Sequence, residues 1–156
     1  MHTLLLILHS WLRWAVVITA IWTIARSMKG TFSNTPYTAG DNRSNLFFMI
    51  SCDLQMLIGL GLYFFGPMGL KAIQSAGMSA VMQQSSTRFF TIEHETMMIL
   101  ALIIVHIGRS VVKKAPSDIK KHKKSLAYFG IAFILILLAI PWPFRTALGF
   151  HPWFRF

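Results

Sequence analysis

The sequence predicts an all-α integral membrane protein, a bundle of four transmembrane helices with a short amphipathic surface helix between helices two and three. Hydrophobic residues make up 54% of the chain, charged residues only 13%, and the mean hydropathy is +0.56. A soluble domain carries about a quarter charged residues. Four apolar runs approach the roughly 20 residues that span the 30 Å hydrocarbon core of a bilayer. The Lys and Arg residues lie mostly between these runs.

The first two transmembrane helices are predicted over about residues 3–25 and 44–65, with a polar loop, 31–42, between them. The first run has no basic region ahead of it, and Arg13 interrupts it, so we interpret it as a retained helix rather than a signal peptide. A Gly-Pro pair ends the second run. The beginning of the chain is therefore predicted to form an antiparallel helical pair.

The second half of the chain contains the surface helix and two more spans. The surface helix is predicted over about 68–84, the third transmembrane helix over about 88–110 and the fourth over about 125–142, where a Pro-Trp-Pro sequence stops it. The residues that fall near one face of the surface helix are Leu70, Ile73, Gly77 and Val81. We predict one membrane domain over residues 1–156.

The basic residues predict the orientation. The loop between helices two and three has only Lys71 before Arg88, whereas the two other loops are strongly basic. Their Lys and Arg residues are Arg26, Lys29, Arg43, Lys113, Lys114, Lys120, Lys121, Lys123 and Lys124. The positive-inside rule places these loops in the cytoplasm and both termini in the periplasm of a bacterial inner membrane. The net charge of +10 thus indicates a lipid bilayer as partner, and no nucleic acid.

Aromatic residues cluster toward the predicted outer boundary. Residues of this kind anchor helices at membrane interfaces. We interpret the following as such anchors: Trp11, Trp14, Tyr63, Phe89, Phe90, Trp142 and Trp153.

Two histidines fall at one predicted depth. Helices one and three both run inward, and His9 and His94 each lie about six residues, or roughly 9 Å, below the outer boundary. Haem iron takes axial ligands on opposite sides of a planar ring, so bis-histidine ligation needs two imidazoles at one level on two helices. We therefore predict haem b as a cofactor, with His9 and His94 as the iron ligands. The small residues that leave room for a porphyrin edge, and equally suit close helix packing, are Val16, Ala20, Ala101 and Gly108.

The other histidines have weaker patterns. Any single membrane histidine also suits a structural role, bonded to a hydroxyl or carbonyl of a neighbouring helix. His106 is a candidate ligand for a second haem, about 18 Å deeper than His94, but no histidine of the first two spans shares its depth. We interpret His122, in a Lys-Lys-His-Lys-Lys run, as part of a solvated, lipid-facing cluster. His2 and His151 are interpreted as solvated. Either of them would replace His9 as the iron ligand if the first helix had a different register.

Charged residues inside the spans require partners because an unpaired charge in hydrocarbon is costly. Arg13 and Asp53 both fall near mid-span, so we predict an ion pair between them. A functional interpretation makes Arg13 a partner for a haem propionate or a quinone oxygen. Glu93 and Glu95 flank His94. One is predicted to pair with Arg88, Arg13 or Arg145, and one to orient an imidazole ring or to take up protons. Glu95 and Arg145 are predicted, with Arg13, to belong to the cofactor-binding residues.

Five short segments of the chain are distinctive. They are Leu8-His-Ser-Trp-Leu-Arg-Trp14, Arg88-Phe-Phe-Thr-Ile-Glu-His94, Ile107-Gly-Arg109, Lys121-His-Lys-Lys124 and Ile140-Pro-Trp-Pro-Phe-Arg145. Together they resemble a family of short four-span membrane proteins from Bacteroidetes-type bacteria that carry a cytochrome b-like label. The resemblance covers nearly the whole chain and implies a haem b membrane protein.

A second, distant likeness is in size, to the small four-span haem-binding protoporphyrinogen oxidases. Those proteins carry an N-terminal histidine in a helix, as His9 is here. This chain lacks their Trp-x-Gly-x-x-Tyr-x-x-Arg continuation and has no lysine in the span of His94.

Three functions follow from these patterns. The first is haem b electron transfer, linked to a quinone or as a subunit of a larger respiratory assembly with oxidoreductase activity. The second is a non-catalytic structural subunit of a membrane complex. The third is a small proton- or ion-conducting bundle. The sequence contains no nucleophile–base set, phosphate-binding loop or cysteine metal motif that points to another chemistry.

Overall fold

The computed structural model describes residues 2–149 and 151–156, and it confirms the all-α fold. The chain is 82% helical, with no strand among the described residues. Four of its helices are long and apolar enough to cross a membrane. The helices are α1 (His2–Ser33), α2 (Ala39–Phe65), α3 (Leu70–Gln83), α4 (Ser85–Lys113) and α5 (Asp118–Ala139), followed by a 3₁₀ turn at Thr146–Leu148.

The four long helices form a bundle in which α1 and α4 occupy opposite corners. Helix α1 packs closely on α2 and α5, and α4 packs closely on α5 and less closely on α2, while α1 and α4 make few direct contacts. The core between them includes Ala20, Phe48, Val105, Phe129 and Ala132, all fully buried. Because α1 and α4 face each other across the bundle, space is left between them at one end.

The first loop is shorter than predicted. Helix α1 continues to Ser33 rather than ending near residue 25, and α2 begins at Ala39 rather than near 44. The N–H and O–H groups of Thr38 donate to Asp41 Oδ2 at 2.7 and 2.6 Å, so a local cap starts α2 early. Arg26 pairs with Asp41 at 2.9 Å and ties the two helix ends together. Hydropathy marks where a helix leaves the apolar layer, not where it ends.

Helix α5 also begins earlier than predicted, at Asp118 instead of near 125, and ends at Ala139 instead of near 142. The interpretation of His122 as solvated is wrong, because its side chain is 1% exposed. Its ring lies against Gly30 of α1, and the neighbouring Ser27 and Ser125 hydroxyls are 2.7 Å apart. The first two turns of α5 are thus buried against the extended end of α1.

A helix is present where the surface helix was predicted, but it is bent. Gly77 has φ +80°, a left-handed conformation that favours glycine, and it divides α3 into two short parts. Ala72 and Val81 are buried, while most of the other side chains are exposed. Its position on a membrane surface remains a prediction.

Candidate functional site

A cavity of about 350 Å³ opens between α1, α2 and α4, at the end of the bundle where the chain termini lie. This volume falls within the range of small-molecule pockets, about 300–1,000 Å³. Apolar side chains form most of its wall, together with the segment that follows α5. The polar side chains that line it include His9, Arg13, Gln55, His94, Glu95 and His151.

The cavity brings His9 and His94 together. Their ring centroids are 6.2 Å apart, and the ring planes are inclined at 63°. His9 belongs to α1 and His94 to α4, the two helices at opposite corners of the bundle. The two imidazoles therefore face one another across the space between the helices, as the matching depths in the sequence predicted.

The ring of His94 is oriented by a backbone carbonyl. His94 Nδ1 lies 2.8 Å from the carbonyl oxygen of Ala139, at the end of α5. Because a carbonyl only accepts, Nδ1 carries the proton and Nε2 keeps its lone pair. Among the described residues, Nε2 makes no hydrogen bond, and the His94 side chain lines the cavity. It therefore remains available to a ligand in the cavity.

A π-helical turn at Phe89–Glu93 leads directly into His94. Such turns insert one extra residue into a helix and are frequent at functional sites. Thr91 anchors the turn by donating to the carbonyl of Met68 at 2.8 Å. Phe89 is 1% exposed, so its prediction as an interface anchor is wrong, because the turn directs this ring into the protein. The π-helical turn therefore determines the direction in which the His94 side chain points from α4.

His9 has a different environment. Its Nδ1 is enclosed and has no hydrogen-bond partner within the described part of the chain. The ring lies beside Gly59 of α2, where a Cβ atom would come within 3.4 Å of Cε1. Gln55 Nε2 donates to the His9 carbonyl at 3.1 Å and holds this turn of α1 against α2. Like His94, His9 lines the cavity.

Arg13 lines the cavity, but the predicted ion pair between Arg13 and Asp53 is wrong. The Arg13 guanidinium donates to the carbonyl of Trp153, in the segment that returns over α1. Trp14 Nε1 donates to the same carbonyl at 3.1 Å, and Trp11 Nε1 donates to the carbonyl of Arg155 at 3.0 Å. Asp53 faces α4 instead, so no carboxylate of α2 reaches Arg13.

Asp53 pairs with His106, the candidate ligand for a second haem. His106 Nε2 lies 2.8 Å from Asp53 Oδ1. Neither residue lines the cavity, and their side chains are 36% and 49% exposed on the outer surface between α2 and α4. The structure thus separates His106 from the pair formed by His9 and His94.

The acidic residues beside His94 have separate positions. Glu93 pairs with Arg88 at 2.7 Å, which confirms one of the predicted partners. Glu95 lines the cavity, with no ion pair among the described residues. Arg145 lies outside the cavity. It donates to the carbonyl of Leu138 at 2.8 Å and lies 4.7 Å from the centre of the Phe89 ring, so it caps the end of α5.

Sequence reasoning missed a polar cluster at the opposite end of the bundle. The Ser125 hydroxyl donates to the Asn45 side chain at 3.2 Å, and Asn45 donates to the Tyr37 hydroxyl at 2.9 Å. The Tyr37 and His122 rings are 5.1 Å apart, and burial raises the pKa of Tyr37 to about 12. The signal was present in the spacing of the buried residues of α5, which are His122, Ser125, Phe129, Ala132, Ile136 and Ala139.

Comparisons of the chain with protein-family models, with curated proteins and with solved structures found no match.

Proposed function

We propose that the chain is a haem b-binding membrane protein of electron transfer, in which His9 and His94 would hold the haem iron. The observation that carries the proposal is the 6.2 Å separation of the two imidazole centroids across the cavity. Bonds from a metal ion to histidine nitrogen are about 2 Å long, so two imidazoles that share one metal ion must lie close together, as these two do.

The chemistry of the two side chains supports the same ligand. The Ala139 carbonyl holds the His94 proton on Nδ1, which is the usual way in which a metal-binding histidine is oriented. Both histidines line the cavity, and the glycine at position 59 leaves space beside the His9 ring. A bound haem b supplies one-electron redox chemistry at its iron. The protein supplies the ligands, an apolar wall and nearby charge.

The mouth of the cavity suits the carboxylates of such a cofactor. Arg13 and Arg155 line it, and Arg13 Nε is enclosed without a hydrogen-bond partner among the described residues. Arginine binds carboxylates through short, charge-assisted hydrogen bonds. In this proposal Arg13 positions a haem propionate, and its bond to the Trp153 carbonyl fixes the guanidinium.

The finer assignments belong to the same proposal. The protein would lie in a bacterial inner membrane with both termini in the periplasm, and it would exchange electrons with a quinone or with a larger respiratory assembly. The support is the distribution of basic loop residues and the four apolar helices.

An absorption spectrum tests the proposal. The protein is expressed with ample haem, purified in detergent, and examined for a Soret band and a sharp α-band on reduction. We expect both bands in the wild-type protein and their loss, or conversion to a high-spin spectrum, in His9→Ala and His94→Ala. His106→Ala is the matched control, because His106 lies on the same helix outside the cavity, and it should retain the wild-type spectrum.

Circular dichroism of each variant shows whether the helices are intact. A colourless wild-type protein with intact helices contradicts haem binding and favours the structural-subunit alternative. An unchanged spectrum in a folded His9→Ala variant contradicts the assignment of this ligand, and His2 and His151, which also line the cavity, are then the next candidates.

A further inference from the structure

The pair formed by Asp53 and His106 differs from the other ion pairs of the described chain in its position. In each of the pairs Arg26–Asp41, Arg88–Glu93 and Asp118–Lys121, one member (Asp41, Arg88 or Asp118) lies in the first turn of its helix. Asp53 lies 12 residues, or roughly 18 Å, from the Phe65 end of α2, and His106 lies seven residues, or roughly 10 Å, from the Lys113 end of α4. Neither member of this pair lies in a terminal turn, and Asp53 is near the middle of α2.

This pair also faces outward. The Asp53 side chain is 36% exposed and the His106 side chain 49% exposed, and the pair lies outside the cavity. The exposed residues around it are apolar, among them Ile50, Leu57, Ile103 and Ile107. Polar groups inside a membrane almost always face protein or water, because hydrocarbon offers them no partners. The half-exposed pair indicates that this face is covered in the membrane.

The arrangement of the carboxylate and the imidazole identifies a partner. We propose that the face between α2 and α4 binds a second copy of this chain, around a two-fold axis perpendicular to the membrane. Such an axis keeps every residue at its own depth, so the pair of one copy meets the pair of the other. The rotation also reverses the direction from Asp53 to His106 within the membrane plane. Asp53 of each copy then lies opposite His106 of the second copy.

The proposed contact satisfies the groups that a single copy leaves exposed. A carboxylate has two oxygens, and the bond to His106 uses one of them. In the dimer, the second carboxylate oxygen of Asp53 accepts a hydrogen bond from His106 of the other copy. The two Asp53 and two His106 side chains then alternate around the axis and exclude lipid. Polar side chains of this kind hold transmembrane helices together where apolar surfaces alone give no preference. The proposal is independent of haem binding.

Disulfide cross-linking tests the geometry. Leu57 lies one turn from Asp53 on the same face and is 65% exposed, so Leu57→Cys places a thiol beside the proposed axis. The native Cys52 is buried and is replaced by Ala in all variants. The matched control is Ile131→Cys on α5, which is 54% exposed and, like Leu57, lies eight residues before the outer end of its helix. We expect a covalent dimer from Leu57→Cys and monomer from Ile131→Cys.

Substitution of the pair tests its role. In native-membrane nanodiscs or mild detergent, single-molecule or mass measurements should give a dimer for the wild-type protein. Asp53→Leu and His106→Leu should each raise the dissociation constant roughly tenfold or more, since each removes two symmetric contacts. The exchange variant, Asp53→His with His106→Asp, keeps the alternating carboxylates and imidazoles and should restore the dimer. Helix content by circular dichroism separates loss of association from loss of folding.

A wild-type protein that is monomeric in lipid, with no cross-link at Leu57→Cys, overturns the proposal. So does a complex from native membranes in which the chain is bound only to a different protein through this face. A dimer whose stability is the same in the folded Asp53→Leu variant overturns the assignment of the ion pair to the interface.

Discussion

The buried face of α5 reaches His122, a side chain that carries no hydrogen bond within the described part of the chain. Both of its ring nitrogens are enclosed. The ring fits against Gly30 of α1 so closely that a Cβ atom there would lie 2.2 Å from ring atoms. Gly30 therefore determines how near α1 and α5 approach, and the imidazole fills the space that a larger residue at position 30 would need.

We predict that Gly30→Ala lowers the free energy of unfolding. The added methyl group forces the buried His122 ring or the α1–α5 contact to move, and overpacking of this kind costs about 1–3 kcal/mol. The higher helix propensity of alanine returns about 1 kcal/mol or less. Unfolding by titration with a denaturing detergent measures the difference.

Gly130→Ala is the matched control for that substitution. Gly130 also lies inside a long helix, but a Cβ atom there meets no heavy atom within 4 Å. Propensity alone should then act and stabilise the protein by up to about 1 kcal/mol. Equal stabilities of the two variants would contradict the close contact between Gly30 and His122.

The sequence predicts the depth of a side chain in the membrane better than the direction in which the side chain points. Counting residues from a span boundary gives depth, and depth alone placed His9 opposite His94. The direction of a side chain depends on which neighbour each helix face meets. Arg13 and Asp53 have similar depths, yet Asp53 faces α4 and Arg13 faces the C-terminal segment. The partner of an isolated charged residue therefore depends on how the helices pack, and the sequence alone does not give that packing.

The segment after α5 acts as a cover for the cavity. It returns across α1, where Arg13, Trp11 and Trp14 donate hydrogen bonds to the carbonyls of Trp153 and Arg155. These three donors come from a single turn of α1. They hold residues 151–156 near His9 although the segment has no helix of its own. A loss of one donor should therefore loosen the segment without unfolding α1.

We predict that Trp14→Phe increases the mobility of this segment. The ring is kept, but the bond from Nε1 to the Trp153 carbonyl at 3.1 Å is lost. A hydrogen bond contributes about 1 kcal/mol, so amide hydrogen exchange in residues 151–156 should become roughly fivefold faster. Trp22→Phe is the control, because Trp22 lies elsewhere on α1, where its ring stacks on Phe47 of α2. Equal amide exchange rates in residues 151–156 of the two variants would contradict this role of the Trp14 hydrogen bond.

Helix ends were harder to predict than helix existence. All four spans are present, because long apolar runs are a strong signal. The early starts of α2 and α5 depend on the bond from Thr38 to Asp41 and on the burial of His122. The π turn before His94 depends on the contact of Thr91 with Met68. The first is a local helix cap and the other two are tertiary contacts, and hydropathy is insensitive to all three.

The molecule has two chemically different ends. The chain termini and the cavity with His9 and His94 lie at one end. The two short connections, 34–38 and 114–117, lie at the other, beside the polar cluster of Tyr37 and His122. An even number of crossings places both termini on the same side of a membrane. The side itself depends on the basic residues that flank the two short connections.

We predict that the end with the short connections is cytoplasmic, and thiol labelling in intact cells measures this. Ser33→Cys, at the end of α1, and Ser79→Cys, in α3, are two exposed serines at opposite ends of the bundle, each placed in a Cys52→Ala chain. A membrane-impermeant maleimide should label position 79 in intact spheroplasts and position 33 only after the membrane is disrupted. Each position serves as the control for the other, since both thiols are equally small and both sites are exposed. The reverse pattern would place the cavity with His9 and His94 on the cytoplasmic side, and labelling of both positions in intact spheroplasts would contradict a span between them.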